Sequence, residues 1–276
     1  MNEFLRKSEE TKRFFTKHIP CTPEIAIILG SGLNAVGEAV LDKTAIPYLD
    51  IPNLKETKVE THSGNMIFGE YGGKKVVFFQ GRFHLYEGYD HLDITFFPVV
   101  VSLTGAKILI VTNLVGGIRG DLELGDLVVI TDHYNLSGYN PLISLGKAKG
   151  RPLFVDMYDA YSSRLRVILK ESSQQSGIRL REGKLAFLSG PNFETQMELE
   201  YLQRLGADVV GWSMVPEVLV ARCFGMEVVG ISCVSDISRP ECFGPVDVAD
   251  IFNQGIKKAS SLKKLLDVFL SLIPDE

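Results

Sequence analysis

The sequence predicts a single α/β domain spanning residues 1–276, with a central mixed sheet flanked by helices. Three observations predict it. Continuous apolar runs of strand length recur along the chain, which is the pattern of strands covered on both faces. Helical patterns lie between several of them. No Pro- or Ser-rich linker and no internal repeat divides the 276 residues, and 45 % hydrophobic with 23 % charged residues is an ordinary globular composition.

In chain order the predicted strands are EIAIILG (24–30), KKVVFFQG (74–81), AKILIVTN (106–113), DLVVITD (126–132), KLAFLSG (184–190), DVVG (208–211) and EVVGISCVSD (227–236). MIFGEYGG, just before the second of these, reads as the first arm of a hairpin. ETQMELEYLQRLG reads as a helix with Met197, Tyr201, Leu202 and Leu205 on one face and Gly206 as its left-handed stop. Pro216 opens a second helix that Gly225 ends, and residues 247–272 form a long amphipathic helix. Residues 134–156 are the least regular stretch and too long for a simple connection, so they are a candidate functional or interface loop.

A net charge of -5 gives no basic footprint, which argues against nucleic acid or an anionic membrane as a partner. The four cysteines form no C-x-x-C pair, and no H-E-x-x-H or EF-hand spacing occurs, so no metal site is expected. The N-terminal residues lack the apolar core of a signal peptide, and about 18 uncharged apolar residues never run together. These features predict a cytoplasmic protein with free thiols.

Polar clusters follow the strand ends, where α/β folds gather their sites. GSGLNA at 30–35 offers backbone N–H groups, the Ser31 hydroxyl and a following helix to an anion. The same string fits a dinucleotide fingerprint, with Asp50 at the ribose-acid distance, and also a plain strand-to-helix turn. His62 in VETHSGN is a surface turn residue unless other groups meet it. In QGRFHLYEGY, Arg82 carries a permanent fork suited to phosphate, and His84 and Tyr86 fall on its side if the chain stays extended. In TNLVGG, Asn113 through Gly117 bring backbone N–H groups to the rim, as either a structural turn or a ligand loop, and Asp126 reads as a turn residue. Phe193 and Glu194 pair a stacking ring with an acceptor, which suits a planar heterocycle. Ser213, beside the only tryptophan, Trp212, is either the N-cap of the Pro216 helix or an anion ligand. Ser235 and Asp236 sit at the mouth of the last strand.

Taken together, GSGL, THSG, QGRFHLYEGY, TNLVGG, GPNFET, LGADVVGWSMVPEV and VSDI, in this order over about residues 24–260, resemble the trimeric-type purine nucleoside phosphorylases. The resemblance implies reversible phosphorolysis of purine ribo- or deoxyribonucleosides in purine salvage. Inorganic phosphate is the co-substrate, and no metal or organic cofactor takes part. It implies phosphate binding by Ser31, His62, Arg82, His84, Ser213 and the Leu114 amide, and ribose contacts from Tyr86, Trp212 and Val248. It also implies a base pocket of Phe193, Glu194, Val210 and Asp236, with His84, Glu194 and Asp236 as the catalytic set. Phe154 matches the aromatic that this family sends across a homotrimer interface toward a neighbour's ribose.

Two positions depart from members that prefer inosine and guanosine. Asp236 replaces an asparagine, and a protonated carboxyl donating to N7 while accepting from an N6 amino group favours a 6-aminopurine. Val248 stands where those enzymes place a histidine for the 5′-hydroxyl, which fits the related methylthioadenosine phosphorylases. GPNFET and GWSMVPEV are nearer the nucleoside enzymes. The alternatives are therefore methylthioadenosine phosphorolysis and, from another class, a nicotinamide-dependent or nucleotide-binding module built on GSGLNA and Asp50.

Overall fold

A computed structural model describes residues 2–274. Its nine strands are β1 (Ile25–Leu29), β2 (Leu41–Pro47), β3 (Asn65–Tyr71), β4 (Lys74–Gln80), β5 (Ile108–Gly117), β6 (Leu127–Asn135), β7 (Leu180–Phe187), β8 (Val209–Gly211) and β9 (Glu227–Ile237). The helices are α1 (Glu3–His18), α2 (His91–Leu103), α3 (Pro141–Lys149), α4 (Ser163–Ser176), α5 (Gln196–Arg204), α6 (Val215–Cys223) and α7 (Val248–Leu272). The strands form one mixed sheet in the order β2-β3-β4-β1-β5-β8-β7-β6-β9, and β9 pairs back onto β5. That extra pairing closes the last five strands into a ring.

β1 lies at the centre, parallel to β4 on one side and β5 on the other. All five of its residues are buried, because each face of the sheet is covered. Period-2 alternation sends Ala26 and Ile28 into a core shared with α1, α2, α3 and α6, whereas Ile25, Ile27 and Leu29 pack toward α4 and α7. Each fully buried side chain of this size contributes about 1.5–3 kcal/mol of transfer free energy. Such runs must therefore be central. The β3–β4 hairpin turns through Gly72 and Gly73, both at positive φ, a conformation glycine adopts without steric cost.

Several expectations are corrected. TNLVGG is neither turn nor loop: it is the second half of β5, since Gly116 and Gly117 pair with both β8 and β9. Residues 134–156 contain α3, capped by the Asn140 side chain and ended by left-handed Gly150. On α5 the buried residues are Leu199 and Leu202, while Met197 is 80 % exposed and Tyr201 56 %. This short helix buries an i,i+3 stripe rather than the wider face expected. Ser213 does not cap α6; Met214 holds that position at φ 81°, and no side chain caps the helix. Asp126 is a turn residue, as expected, its carboxylate accepting from the Glu123 amide at 3.1 Å.

Candidate active site

The carboxyl ends of β1, β4, β5 and β8 and the mouth of β9 open onto one cavity of about 660 Å³. All the predicted site residues except His62 and Phe154 line it. At the β1 end, Gly30 sits so close to β5 that a Cβ there would lie 2.8 Å from the Asn113 Cα, so only glycine lets Ser31 reach the rim. The chain then enters a 3₁₀ turn, Asn34–Ala39, rather than an α-helix. The expected helix N-terminus behind GSGLNA is therefore not formed. Asp50 lies in another 3₁₀ turn, Tyr48–Asp50, that follows edge strand β2, outside the cavity. The dinucleotide arrangement thus lacks both its helix and its acid.

Arg82, directly beyond β4, is 0 % exposed to solvent yet lines the cavity. One end of its guanidinium donates to the Thr112 carbonyl, and Nη1 reaches Glu217 at 3.4 Å. With two of its five N–H donors committed, the fork is held in place and others remain for a ligand. Glu217, on the first turn of α6, was not among the residues singled out from sequence. A lone acid in the apolar run VPEVLVARC is the signal that it must be paired when buried.

His62 is buried behind Ser31. Its Nδ1 accepts from the Arg82 N–H at 3.3 Å and lies 3.0 Å from the Thr57 hydroxyl, which assigns the proton to Nε2, 3.3 Å from Ser31 Oγ. The Ser31 hydroxyl hydrogen is thereby free to point elsewhere. Gly81 makes this packing possible, since a Cβ there would lie 2.5 Å from the imidazole. His84 is tied to Glu87, whose Oε1 accepts from the His84 backbone N–H at 2.6 Å and from Nδ1 at 2.9 Å, while Oε2 takes the Lys58 N–H at 2.8 Å. Only Nε2 of His84 remains for a ligand. Ser213, at the start of α6, completes this end, and its hydroxyl has no hydrogen-bond partner among the described residues.

The middle of the cavity is aromatic. Tyr86 stacks on His84 at 4.7 Å between centroids and meets Trp212 edge-on at 5.8 Å, and Phe193 lies 4.9 Å from Trp212. Trp212 Nε1 donates to Glu194 at 3.3 Å. At the far end, Asp236 accepts from Ser235 Oγ at 3.1 Å and from Ser238 Oγ at 2.6 Å. Ser238 was also missed, although its i+2 spacing from Asp236 on an extended segment points both side chains the same way. Leu114 and Val210 supply apolar wall, and Val248, at the start of α7, lies at the mouth. Phe154 is 96 % exposed and outside this chain's cavity.

The cavity therefore has an end lined by Arg82, His84 and the Ser31 and Ser213 hydroxyls, an aromatic waist and a carboxylate end. A family model described as the phosphorylase superfamily matches residues 24–271. Purine nucleoside phosphorylase 1 of Geobacillus stearothermophilus is 44 % identical over 217 residues, 79 % of each chain, and the Bos taurus purine nucleoside phosphorylase is 40 % identical over 222 residues, 79 % of this chain and 77 % of its own. The chain belongs to the purine nucleoside phosphorylase family. Among solved structures, Schistosoma mansoni purine nucleoside phosphorylase in complex with adenosine superposes with a TM-score of 0.88 at 33 % identity, covering 99 % of both chains. The inosine complex of the same enzyme also gives 0.88 at 33 % identity, covering 99 % of this chain and 98 % of its own.

Burial dominates the electrostatics of this family member's site. It pushes His62 well below the usual histidine value of 6.5, helped by the charges of His84 and Arg82. It also lowers His84, against the opposing pull of Glu87. At neutral pH both rings are uncharged. Histidines with depressed folded pKa values contribute stability that is present above pH about 6.5 and lost as the pH falls through the folded values. Thermal unfolding from pH 8 to pH 5 should therefore show a falling Tm, with a shallower fall in His84→Asn; equal slopes would refute the assignment. Burial raises both Glu194 and Asp236, the Asp236 charge adding to Glu194 and the Ser238 and Ser235 hydroxyls opposing the rise at Asp236.

Proposed function

We propose that this chain catalyses phosphorolysis of purine nucleosides, and the observation that carries the reading is the convergence of Ser31, Arg82, His84 and Ser213 at one end of a cavity whose other end holds Phe193, Glu194 and Asp236. A phosphate oxygen attacks C1′ of the sugar. The C1′–N9 bond breaks with its electron pair leaving on the purine, and sugar 1-phosphate and free base result. As that bond lengthens the sugar gains positive charge, which the phosphate beneath it stabilises, and holding the two reactants in line removes much of the entropic barrier.

Arg82 and the Ser31 and Ser213 hydroxyls donate to phosphate, with the Leu114 amide at the same end. His62 acts through Ser31. A neutral His84 offers Nε2 as acceptor for the hydroxyl proton of the phosphate itself. Tyr86 and Trp212 pack the sugar, and Val248 lies at its 5′ side. Phe193 and Val210 sandwich the base, whose departing charge is neutralised at N7. Asp236, whose pKa burial raises against the opposing Ser238 and Ser235 hydroxyls, supplies that proton in its protonated form and accepts from an N6 amino group, which favours 6-aminopurines. General-acid assistance of this kind contributes about 10²–10⁴-fold.

The co-substrate is inorganic phosphate, without a cofactor. Among the described residues, no group of His, Cys, Asp and Glu is arranged to hold a metal ion. Residues 1–276 act as one phosphorylase domain. The exposed Phe154 supports a homotrimer in which each chain completes its neighbour's ribose site. Free cysteines at 21, 223, 233 and 242 support a cytoplasmic location, and among the described residues no helix is long and apolar enough to cross a membrane.

The test is release of base from inosine and adenosine with and without phosphate. Phosphate-dependent release with stoichiometric sugar 1-phosphate is expected; phosphate-independent hydrolysis, or no cleavage of either, would refute the reading. Methylthioadenosine, run alongside, is expected to be the poorer substrate.

A further inference from the structure

The carboxylate end of the cavity shares its wall with a second space. Phe193, Glu194, Ser235, Asp236 and Ser238 line the cavity on one side and this space, of about 580 Å³, on the other. This annex runs outward under residues 242–247 toward Leu124, Leu199, Phe243 and Gln254. It is nearly as large as the cavity assigned to the nucleoside. Much of its wall is apolar, from Leu124, Leu199, Ile237, Phe243, Pro245 and Val246. The charge of Arg239 at its edge is already engaged, with Nη1 and Nη2 donating at 2.9 Å to the carbonyls of Gly120 and Leu122.

We propose that the annex receives a substituent on the six-position of the purine, so that the substrates of this site include 6-aminopurine nucleosides carrying an apolar N6 group. The inference rests on the proposed phosphorolysis and on Asp236 facing the exocyclic edge of the base. The shared wall is what links the two. The side chains that meet the base heteroatoms are the ones beyond which the annex opens, so a group on N6 has only to pass Asp236 and the small Ser238. A singly substituted amine keeps one N–H to donate to Asp236 while its alkyl or benzyl arm leaves the plane of recognition. That arm then exchanges water for apolar wall, which favours binding.

Two probes test it. Phosphorolysis of 6-benzylaminopurine riboside is compared with that of adenosine, and 6-benzylaminopurine is compared with adenine as an inhibitor of inosine cleavage. The benzylated nucleoside is expected within about tenfold of adenosine in kcat/KM, and the benzylated base to inhibit at least as tightly as adenine. Leu124 is 51 % exposed and lines the annex but not the cavity, so Leu124→Trp plugs the annex on a tolerant surface. It is expected to weaken both benzylated probes at least tenfold and leave inosine cleavage within twofold. A benzylated base binding more than 100-fold worse than adenine, or Leu124→Trp weakening both bases equally, overturns the proposal. If neither inosine nor adenosine is cleaved, the phosphorolysis reading itself falls, a result distinct from cleavage without tolerance of the benzyl group.

Discussion

Arg82→Met is expected to lower kcat/KM for phosphate by at least 10²–10³-fold and to destabilise the protein at the same time. The first effect follows from removing a fixed, desolvated donor from a site where negative charge must be held, a loss of about that size wherever one such donor is deleted. The second follows from Glu217, which is 3.4 Å from Arg82 and would be left without that partner in the core. Breaking a buried pair by removing one partner costs about 3–5 kcal/mol. The two effects separate in the double variant Arg82→Met/Glu217→Leu, which should recover most of the unfolding free energy and none of the activity. Denaturant unfolding and steady-state kinetics on the same preparations measure both. Recovery of activity in the double variant would mean that the guanidinium serves the fold alone.

Asp236→Asn is expected to change which purine is cleaved. A protonated carboxyl donates one hydrogen bond to N7 and accepts one from an N6 amino group, whereas an amide that donates to N7 can also donate to a 6-oxo group. Each choice leaves the other base with a mispaired buried group, worth about 1–3 kcal/mol. The inosine-to-adenosine ratio of kcat/KM should therefore rise about 10²-fold in the variant. Ser235 and Ser238 can serve either side chain, because a hydroxyl both donates and accepts, so the fold should tolerate the change. Burial raises the Asp236 pKa, and adenosine cleavage by the unmodified chain should fall as the pH climbs through that raised value, a limb that the variant lacks. An unchanged ratio would show that Asp236 does not read the base.

The parts of this fold that could be read from sequence are those whose cause is local. β1 and β5 announce themselves because burial on both faces forces an unbroken apolar run, and Gly206 and Gly225 mark helix ends because left-handed φ excludes most other residues. Closure of the ring was invisible. It depends on β9 pairing with β5 over 100 residues away in sequence, and for the same reason TNLVGG read as a turn or loop when it is strand. The site divides along the same line. Ser31, Arg82 and Asp236 stand at strand ends, where side chains converge once the sheet exists. Glu217 and Ser238 act through partners, Arg82 and Asp236, that only the tertiary fold brings within reach. Ser213 stayed open between helix cap and anion ligand because caps are defined by one residue of register, and Met214 occupies that register here. Phe154 is exposed and outside its own cavity, so no property of a single chain reveals what it covers.

The claim on which all of this depends is that separate strand ends seat one phosphate beneath one nucleoside. A crystal structure of the chain with phosphate and a non-cleavable purine nucleoside analogue tests it most directly. Phosphate is expected within hydrogen-bond reach of Arg82, Ser31 and Ser213, its oxygen facing C1′, and the purine imidazole edge against Asp236. Phosphate bound away from Arg82, or a purine lying where its N7 cannot meet Asp236, would contradict it.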